Sequence, residues 1–351
     1  MKKMLLLNLL LIFVAFGCSK DKNNEEEEME VDPNYVIVNN GGGGVSTTND
    51  SNDATAPAIV QAVPDTANEQ MEFSNTLPII LFFNDKLYLN SLAENIEVTQ
   101  NGSLIGGIVT INEGANGFAI MTFSPSETFT AGAEILFNLK EGVQDDGGNV
   151  LGFDYNLSFT TKSGAASNFD GNENFENGTQ GVEFIGDGAI MNGPQGCIAP
   201  VSGSSFAVIT SGDQLVSGNS AIADASSVMI LGPISNSFTS FSFQYNFLSS
   251  EFQEFVGSEF DDSVVVTAVG PNGAYSKFLT SVNTIGLDNN TQCMDFPGMP
   301  DDGDVYAGAT GWLNTSATIG NIGSPAYIIF TITDVADTAY SSLIAVENIT
   351  Y

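Results

Sequence analysis

The sequence of 351 residues has no histidine and no arginine, and its eight cationic side chains, all lysines, stand against 42 Asp and Glu. The formal net charge is therefore −34, and such a surface would repel the phosphates of a nucleic acid. Hydrolases that depend on a Ser–His or Cys–His pair are excluded because they need an imidazole. The bidentate guanidinium clamp for phosphate or carboxylate is also missing. Hydrophobic residues nevertheless make up 42% of the chain, which is ample for buried cores.

The first 18 residues have the pattern of an export signal. Lys2 and Lys3 precede an apolar run over residues 4–16, which is too short for a helix that spans a bilayer. The ending Ala15-Phe16-Gly17-Cys18 resembles a bacterial lipoprotein signal, in which Cys18 is lipidated and becomes the mature N-terminus. That resemblance implies a lipid anchor in the outer membrane. An ordinary signal with a free cysteine is the alternative.

Residues 19–55 are polar, acidic and rich in glycine and asparagine, with four glutamates at 25–28. A segment of this composition buries too little apolar surface to offset its ordering entropy, which predicts a disordered tether. The acidic run just after the cysteine resembles the surface-export tether of Bacteroidetes lipoproteins. It implies that the protein is exposed at the cell surface rather than in the periplasm.

The cysteine count fits an exported protein. If Cys18 is lipidated, Cys197 and Cys293 remain, and an even remainder in an oxidising compartment favours one disulfide between them. Two buried free thiols are the alternative.

From residue 56 onward, short apolar runs alternate with Gly, Asn and Asp turns, which predicts an all-β chain. Small residues at 163–167 predict a linker that divides this part into domains 56–162 and 168–351. Helical periodicity is weak, apart from one turn at 90–93. The predicted strands cover residues 77–83, 95–99, 104–111, 118–123, 134–139, 155–161, 207–210, 221–231, 238–247, 263–269 and 326–333.

The first domain carries an ordered set of motifs: Ala56-Pro57, Val63-Pro64-Asp65, residues 80–85, Leu92, Phe123-Ser124-Pro125, Phe129-x-x-Gly132, Gly142-Val143-x-Asp145-x-x-Gly148-Asn149-x-Leu151 and Phe159-Thr160-Thr161. Together they resemble a bacterial Ig-like domain of the SbsA type, found in surface-layer and other extracellular proteins. The resemblance implies an Ig-like β-sandwich that spaces or presents another domain. The turn at 145–149 offers ligands for a cation, but a solvated β-turn is the preferred interpretation.

The second domain has an acidic and aromatic segment at residues 247–263 between two predicted strands. This segment resembles the hallmark loop of the choice-of-anchor L type of extracellular β-sandwich, and residues 207–212, 310–312, 333–342 and 343–349 support the resemblance. Its long strands and long loops predict a jelly-roll-like β-sandwich. The whole fold is thus predicted as an N-terminal Ig-like sandwich followed by a jelly-roll-like one.

Clustered carboxylates repel one another in water unless they bind cations, and hard oxygen ligands suit Ca²⁺. Two groups in the second domain are candidate ligands for a structural calcium ion. One is the hallmark loop, and the other pairs Glu176 with Glu347, because the first and last strands of jelly-roll modules lie close together. Solvated acidic faces are the alternative for both. The hallmark-loop candidates are Glu251, Glu254, Glu259, Asp261 and Asp262.

These observations favour a non-enzymatic adhesion or ligand-presenting lipoprotein in which the Ig-like domain is a spacer. A glycan-binding protein for polysaccharide capture is the alternative, with Trp312, Tyr306 and Tyr275 as candidate stacking residues in or near loops. An extracellular glycosidase needs only two carboxylates. With 42 acidic residues, however, such pairs arise by chance and carry no specificity.

Overall fold

The computed structural model describes residues 35–39, 45–46, 53–64, 72–114, 117–164, 167–212, 216, 226–252, 255–286, 291–293, 308–335 and 340–351. The predicted signal peptide with Cys18 and most of the predicted tether lie outside the described residues. Two short segments of the predicted tether, Tyr35–Asn39 and Val45–Ser46, form strands that pair with the first sandwich, so the prediction of disorder is wrong for them. The first of these segments is apolar enough to add a strand to the sheet. Both predicted β-domains lie within one compact unit, Asp32–Tyr351.

The first sandwich has two five-stranded sheets and one short pair of strands. Its strands are β1 (Tyr35–Asn39), β2 (Val45–Ser46), β3 (Ile59–Val63), β4 (Glu72–Phe73), β5 (Ile79–Phe83), β6 (Leu87–Tyr88), β7 (Ile96–Gln100), β8 (Ser103–Leu104), β9 (Gly107–Glu113), β10 (Ala119–Pro125), β11 (Glu134–Leu139) and β12 (Tyr155–Thr161). The sheet orders are β1-β9-β10-β5-β3 and β4-β12-β11-β7-β8, and β2 pairs with β6.

Alternation explains why these segments form a sandwich. In β11 the side chains of Ile135, Phe137 and Leu139 are buried, whereas those between them are not. The observed bounds of β11 and β12 coincide with the predicted strands 134–139 and 155–161. The predicted turn at 90–93 overlaps a short 3₁₀-helix, Leu89–Ser91.

The second sandwich has a five-stranded sheet, β13-β16-β23-β18-β19, and a larger sheet with the order β14-β15-β24-β17-β21-β20, in which β22 also pairs with β17. The strands are β13 (Val182–Ile185), β14 (Gly188–Asn192), β15 (Ser205–Thr210), β16 (Ser226–Ile234), β17 (Ser240–Ser249), β18 (Ser263–Gly270), β19 (Gly273–Ser281), β20 (Thr291–Gln292), β21 (Gly308–Ala309), β22 (Leu313–Thr318), β23 (Ala326–Thr333) and β24 (Ser342–Thr350). The chain is therefore all-β with two sandwiches, as predicted.

The five-stranded sheet of the second sandwich is buried on both faces. Along β23, Ile328 and Phe330 point into the core of the second sandwich, whereas Tyr327 and Ile329 belong to the hydrophobic cluster of the first. In β16, Met229 likewise belongs to the core of the second sandwich, whereas its neighbours Val228 and Ile230 belong to the cluster of the first. Sheets covered on both faces have strands that are continuously apolar, which explains why β23 is apolar almost throughout. The hydrophobic core thus runs from one sandwich into the other.

One short α-helix, α1 (Val282–Ile285), was not predicted. The Ser281 hydroxyl caps it by accepting a hydrogen bond from the Thr284 N–H, and Gly286 follows with φ 67°. Among the described residues, no helix is long and apolar enough to cross a membrane.

Candidate functional site

The acidic residues of the hallmark loop occupy different environments. Glu251 and Asp262 are fully buried, whereas Glu259 is exposed; Glu254 lies outside the described residues. The Asp262 carboxylate accepts hydrogen bonds from the Val335 N–H at 2.9 Å and from the Ser211 hydroxyl at 3.0 Å. These contacts tie the loop to neighbouring segments.

The other described acid of this loop, Asp261, is half-buried and accepts a hydrogen bond from the Asn283 N–H in α1 at 2.7 Å. It therefore fixes the start of α1 against the loop. Calcium binding by these carboxylates stays a prediction.

The carboxylates of Glu176 and Glu347 both accept hydrogen bonds from the same loop, residues 197–205. The buried Glu347 carboxylate accepts hydrogen bonds from the N–H groups of Val201 at 2.7 Å and Ser202 at 2.6 Å. Glu176 accepts from the Ser204 N–H at 2.6 Å and the Ser204 hydroxyl at 2.8 Å. These bonds from Ser204, the backbone one first, hold the pKa of the Glu176 carboxyl below its usual value. The predicted pair therefore converges on the same loop, and its calcium role stays a prediction.

A β-bulge directs Glu347 toward this loop. Asn348 has φ 54°, and the pairing of β24 with β17 shifts register between Glu347 and Thr350. An extra residue in one strand bends it and re-aims the adjacent side chains. Sequence alternation alone would not have placed Glu347 there.

The disulfide and the tryptophan hold the same loop. Cys197 and Cys293 are joined as predicted, with 5.4 Å between their Cα atoms. The Trp312 indole N–H donates to the Ala199 carbonyl at 2.8 Å, and its ring packs edge-on against Phe206. Trp312 therefore has a structural role here.

Of the two tyrosines proposed for glycan stacking, Tyr275 is half-buried and packs against the core of the second sandwich. Tyr306 lies outside the described residues. The stacking role of Trp312, Tyr275 and Tyr306 stays a prediction.

A groove of about 300 Å³ lies where the two sandwiches meet. Val60, Gln61 and Phe82 line it from the first sandwich, and the strands β18, β19 and β23 line it from the second. Phe278 of β19 is 41% exposed there, and Ser263, Ser276, Thr331 and Thr333 add hydroxyl groups. None of the described lining residues is charged.

Sequence analysis did not single out Phe278. In β19 it shares a face with Ala274, which belongs to the hydrophobic cluster of the first sandwich, whereas Tyr275 and Leu279 on the opposite face pack against the second core. Strand alternation was the available signal. It could not show, however, that a second domain covers this face.

Three half-buried carboxylates from distant segments converge in the first sandwich. One oxygen from each of Asp53, Asp85 and Asp146 lies within 4.8 Å of the others. Burial raises the pKa of the Asp85 carboxyl above its usual value, and the charges of Asp53, Asp145 and Asp146 raise it further, against the lowering effect of the Lys86 N–H. Asp145 is 1% exposed, so the interpretation of residues 145–149 as a simply solvated turn is wrong for this residue.

Residues 53–161 match the family model of a bacterial Ig-like domain. The match confirms the resemblance assigned to residues 56–162, and the first sandwich is called the Ig-like domain below. No curated protein matches the chain.

Similar solved structures come from several kinds of protein. TmCBM61, a carbohydrate-binding module in complex with β-1,4-galactotriose, has 10% identity over 52% of this chain and 95% of its own, with a TM-score of 0.24. The K1 cleaved adhesin domain of Lys-gingipain from Porphyromonas gingivalis W83 has 12% identity over 50% and 95%, with a TM-score of 0.26. The N-terminal part of the bacterial S-layer protein SbsC has 11% identity over 51% and 41%, with a TM-score of 0.24.

Proposed function

We propose that this protein is a non-enzymatic lipoprotein of the cell surface that binds an extracellular ligand through a rigid head made of both sandwiches. The observation that carries the proposal is the hydrophobic core that continues from the Ig-like domain into the second sandwich. A spacer joined by a flexible linker would have no such core. The Ig-like domain therefore acts as part of the binding head as well as a spacer.

Polar contacts across the boundary fix the relative position of the two sandwiches. The Tyr327 hydroxyl, on the second sandwich, bonds to the hydroxyls of Ser74 and Thr76 in the Ig-like domain. Burial raises the pKa of Tyr327 to about 12, so the hydroxyl stays protonated near neutral pH. These directional bonds add orientation to the non-directional apolar contacts.

Two further contacts span the boundary. The Ala274 N–H donates to the Asn112 side-chain oxygen at 3.0 Å, which links β19 to β9. Lys162, just after β12, forms an ion pair of 2.6 Å with Glu183 of β13. The linker predicted at 163–167 thus begins directly after Lys162, one partner of an ion pair between the two sandwiches.

The described carboxylates favour a structural role over a catalytic one. Glu347, Glu176, Asp261 and Asp262 all accept hydrogen bonds from backbone N–H groups, and these bonds fix the loops that donate them. A glycosidase needs one carboxyl kept as an acid and a second placed across the scissile bond. The sequence also supplies no imidazole for other acid–base chemistry.

Surface anchoring is supported by the sequence, through Cys18 at the end of the export signal and the acidic tether that follows it. To test this, the wild-type chain and Cys18→Ser are expressed in the native host. We expect the wild-type protein to be in the outer-membrane fraction, to be labelled by a fatty-acid analogue and to be removed by protease from intact cells. The variant should be unlabelled and in the soluble fraction. Equal labelling of both forms, or wild-type protein that resists protease until the cells are broken, would contradict the proposal.

A neutral glycan is one candidate ligand, and the groove between the sandwiches favours it. An exposed aromatic ring, four hydroxyl side chains and the Gln61 amide match the apolar faces and hydroxyl groups of a sugar. The uncharged lining suits a neutral ligand, since the net charge of −34 would repel an anionic one.

Phe278→Ala is the variant that tests glycan binding in this groove. A panel of neutral glycans should yield saturable binding to the wild-type chain that falls at least tenfold in the variant. The matched control is Phe153→Ala, because Phe153 is a 57% exposed phenylalanine that does not line the groove. Equal losses in both variants, or no binding across the panel, would reject the glycan and leave a protein ligand as the object of the search.

A further inference from the structure

We propose that strand β1 is a releasable strap, which shortens the predicted tether by fastening it to the Ig-like domain. β1 (Tyr35–Asn39) comes from the segment predicted as a tether, yet it pairs in parallel with β9 over five residues. The family match begins only at residue 53, so β1 is an addition to the matched region. It lies on the side of the chain that leads to the predicted lipid anchor.

One buried side chain fastens the strap. Tyr35 is 3% exposed, and its ring packs edge-on against Phe123, with 6.1 Å between the ring centroids. The Tyr35 hydroxyl accepts a hydrogen bond from the Val98 N–H at 2.8 Å. Because Val98 lies in β7, in the sheet that faces β9 across the core, Tyr35 reaches from one sheet of the sandwich to the other. The residue thus combines apolar burial with a directional bond.

The strand opposite β1 leaves room for this contact. Gly107 of β9 is in register with Tyr35, and a Cβ atom on Gly107 would clash with the Phe123 ring. Any side chain at position 107 would therefore displace the ring against which Tyr35 packs. Glycine in a strand often marks a close approach of this kind. The edge of β9 is thus shaped to receive an aromatic residue at the start of an added strand.

The rest of β1 is held weakly. Val36 is 60% exposed, and Ile37 and Val38 are half-buried. Among the described strands, β1 pairs with β9 alone, and parallel pairs are slightly less stable than antiparallel ones. A segment with few buried contacts opens locally at a low free energy. When β1 leaves, β9 keeps its pairing with β10, so the sheet persists.

The chain is fixed again from Asp53 onward. The Asn149 side chain donates hydrogen bonds to the backbone carbonyls of Asp53 at 3.3 Å and Thr55 at 3.1 Å. Between β1 and this point, β2 (Val45–Ser46) adds a two-residue pairing with β6. Release of both short strands therefore frees the 18 residues from 35 to 52.

A strap at this position controls how far the head extends from its anchor. At about 3.3–3.6 Å for each extended residue, its release adds at most about 60 Å to the tether. This role rests on the proposed surface anchor at Cys18, because a load reaches β1 through the tether. A ligand-bound head under shear then gives way at β1 before either sandwich unfolds.

Amide hydrogen exchange of the full-length chain tests whether β1 opens on its own. In wild type, residues 35–39 should exchange at least tenfold faster than β11, which lies in the middle of the opposite sheet. Tyr35→Ala should abolish the protection of residues 35–39 and leave β11 unchanged. The matched control is Val36→Ala, which shortens an exposed side chain of the same strand and should exchange as wild type does.

Two results of the exchange experiment would overturn the proposal. One is equal protection of β1 and β11 in wild type, and the other is a loss of protection in β11 caused by Tyr35→Ala. Either result would make β1 an integral strand of the Ig-like domain. The experiment needs no lipid, so a failure of the surface anchor leaves its outcome unaffected.

Single-molecule pulling between residues 19 and 351 measures the released length. Wild type should show one early step of at most about 60 Å before the sandwiches unfold. Val36→Cys combined with Ile108→Cys locks the strap, because these two exposed residues are in register on neighbouring strands, which lie about 4.8 Å apart and within reach of a disulfide. The oxidised lock should lack the early step. A step that persists in the lock, or a wild-type β1 that gives way only together with the Ig-like domain, would refute the strap.

Discussion

The contact between Tyr327 and the Ig-like domain allows the coupling between the two sandwiches to be measured as a free energy. The Tyr327 ring is 1% exposed, and its hydroxyl bonds to Ser74 at 3.0 Å and to Thr76, which lies 251 positions away in the sequence. Tyr327→Phe removes that hydroxyl and keeps the ring. Because a net hydrogen bond contributes about 1 kcal/mol and an orphaned buried partner costs about 1–3 kcal/mol, we expect a loss of about 1–2 kcal/mol in unfolding free energy.

A double-mutant cycle isolates the part of this loss that crosses the domain boundary. Thr76→Val removes the partner hydroxyl with little change in shape. Groups in direct contact couple by about 0.5–3 kcal/mol, and we expect about 1 kcal/mol here. The assay is urea unfolding followed by circular dichroism, with ΔG extrapolated to water for the four proteins of the cycle.

The matched control is a second cycle, in which Tyr245→Phe is combined with Thr76→Val. Tyr245 is 8% exposed and belongs to the core of the second sandwich. Its cycle with Thr76→Val should be additive to within about 0.3–0.5 kcal/mol. If the Tyr327 cycle is additive as well, the two sandwiches do not share this contact in solution, and the argument for one rigid head fails.

Three further predictions concern the ion pair, the buried glutamate and the disulfide. Burial raises the pKa of the Glu183 carboxyl, although the hydrogen bond and the charge of Lys162 act in the opposite direction. The group therefore stabilises the fold at pH values below its unfolded pKa. This contribution is lost as the pH rises through its folded pKa. Glu183→Gln should therefore gain stability relative to wild type as pH rises from acid to neutral, measured by urea unfolding across that range. Glu347→Ala should lower the unfolding free energy by about 3 kcal/mol, because it leaves two backbone N–H groups without an acceptor. If those bonds are the whole role of Glu347, urea unfolding should give the same loss in EDTA and in calcium. Reduction of Cys197–Cys293, which are 96 positions apart, should cost about 4.7 kcal/mol in the chain-entropy model, measured as the fall in Tm when reductant is added.

Each of these predictions has an internal control. Glu97→Gln breaks the exposed pair with Lys140, whose charged atoms are 3.9 Å apart, and serves as the control for Glu183→Gln; an equal gain in both variants would contradict the account of Glu183. A cost for Glu347→Ala that appears only in calcium would assign Glu347 as a metal ligand instead. The double variant Cys197→Ser with Cys293→Ser should match the reduced wild type and show no further effect of reductant. A wild-type Tm that does not respond to reductant would reject a stabilising role for the disulfide.

Much of the fold was predictable because strand alternation is a local property. The bounds of β11, β12 and β23 coincide with the predicted strands, and alternation fixes which side chains are buried in β11. The short helix α1 escaped prediction because four residues are too few to show a helical period.

The junction between the sandwiches was not predictable in the same way. The continuous apolar run of β23 is typical of a strand covered on both faces, but nothing in that run shows which partner covers the second face. Asp53, Asp85 and Asp146, whose carboxylates converge, come from segments that only the tertiary fold brings together. Composition did predict the disulfide, because the parity of the cysteine count is visible without a structure.

Differential scanning calorimetry of the whole chain tests the central claim, that the two sandwiches form one head, most directly. The account predicts a single transition whose calorimetric and van't Hoff enthalpies agree, because the continuous core couples the unfolding of both sandwiches. Two separate transitions, with Tyr327→Phe shifting only one of them, would contradict it.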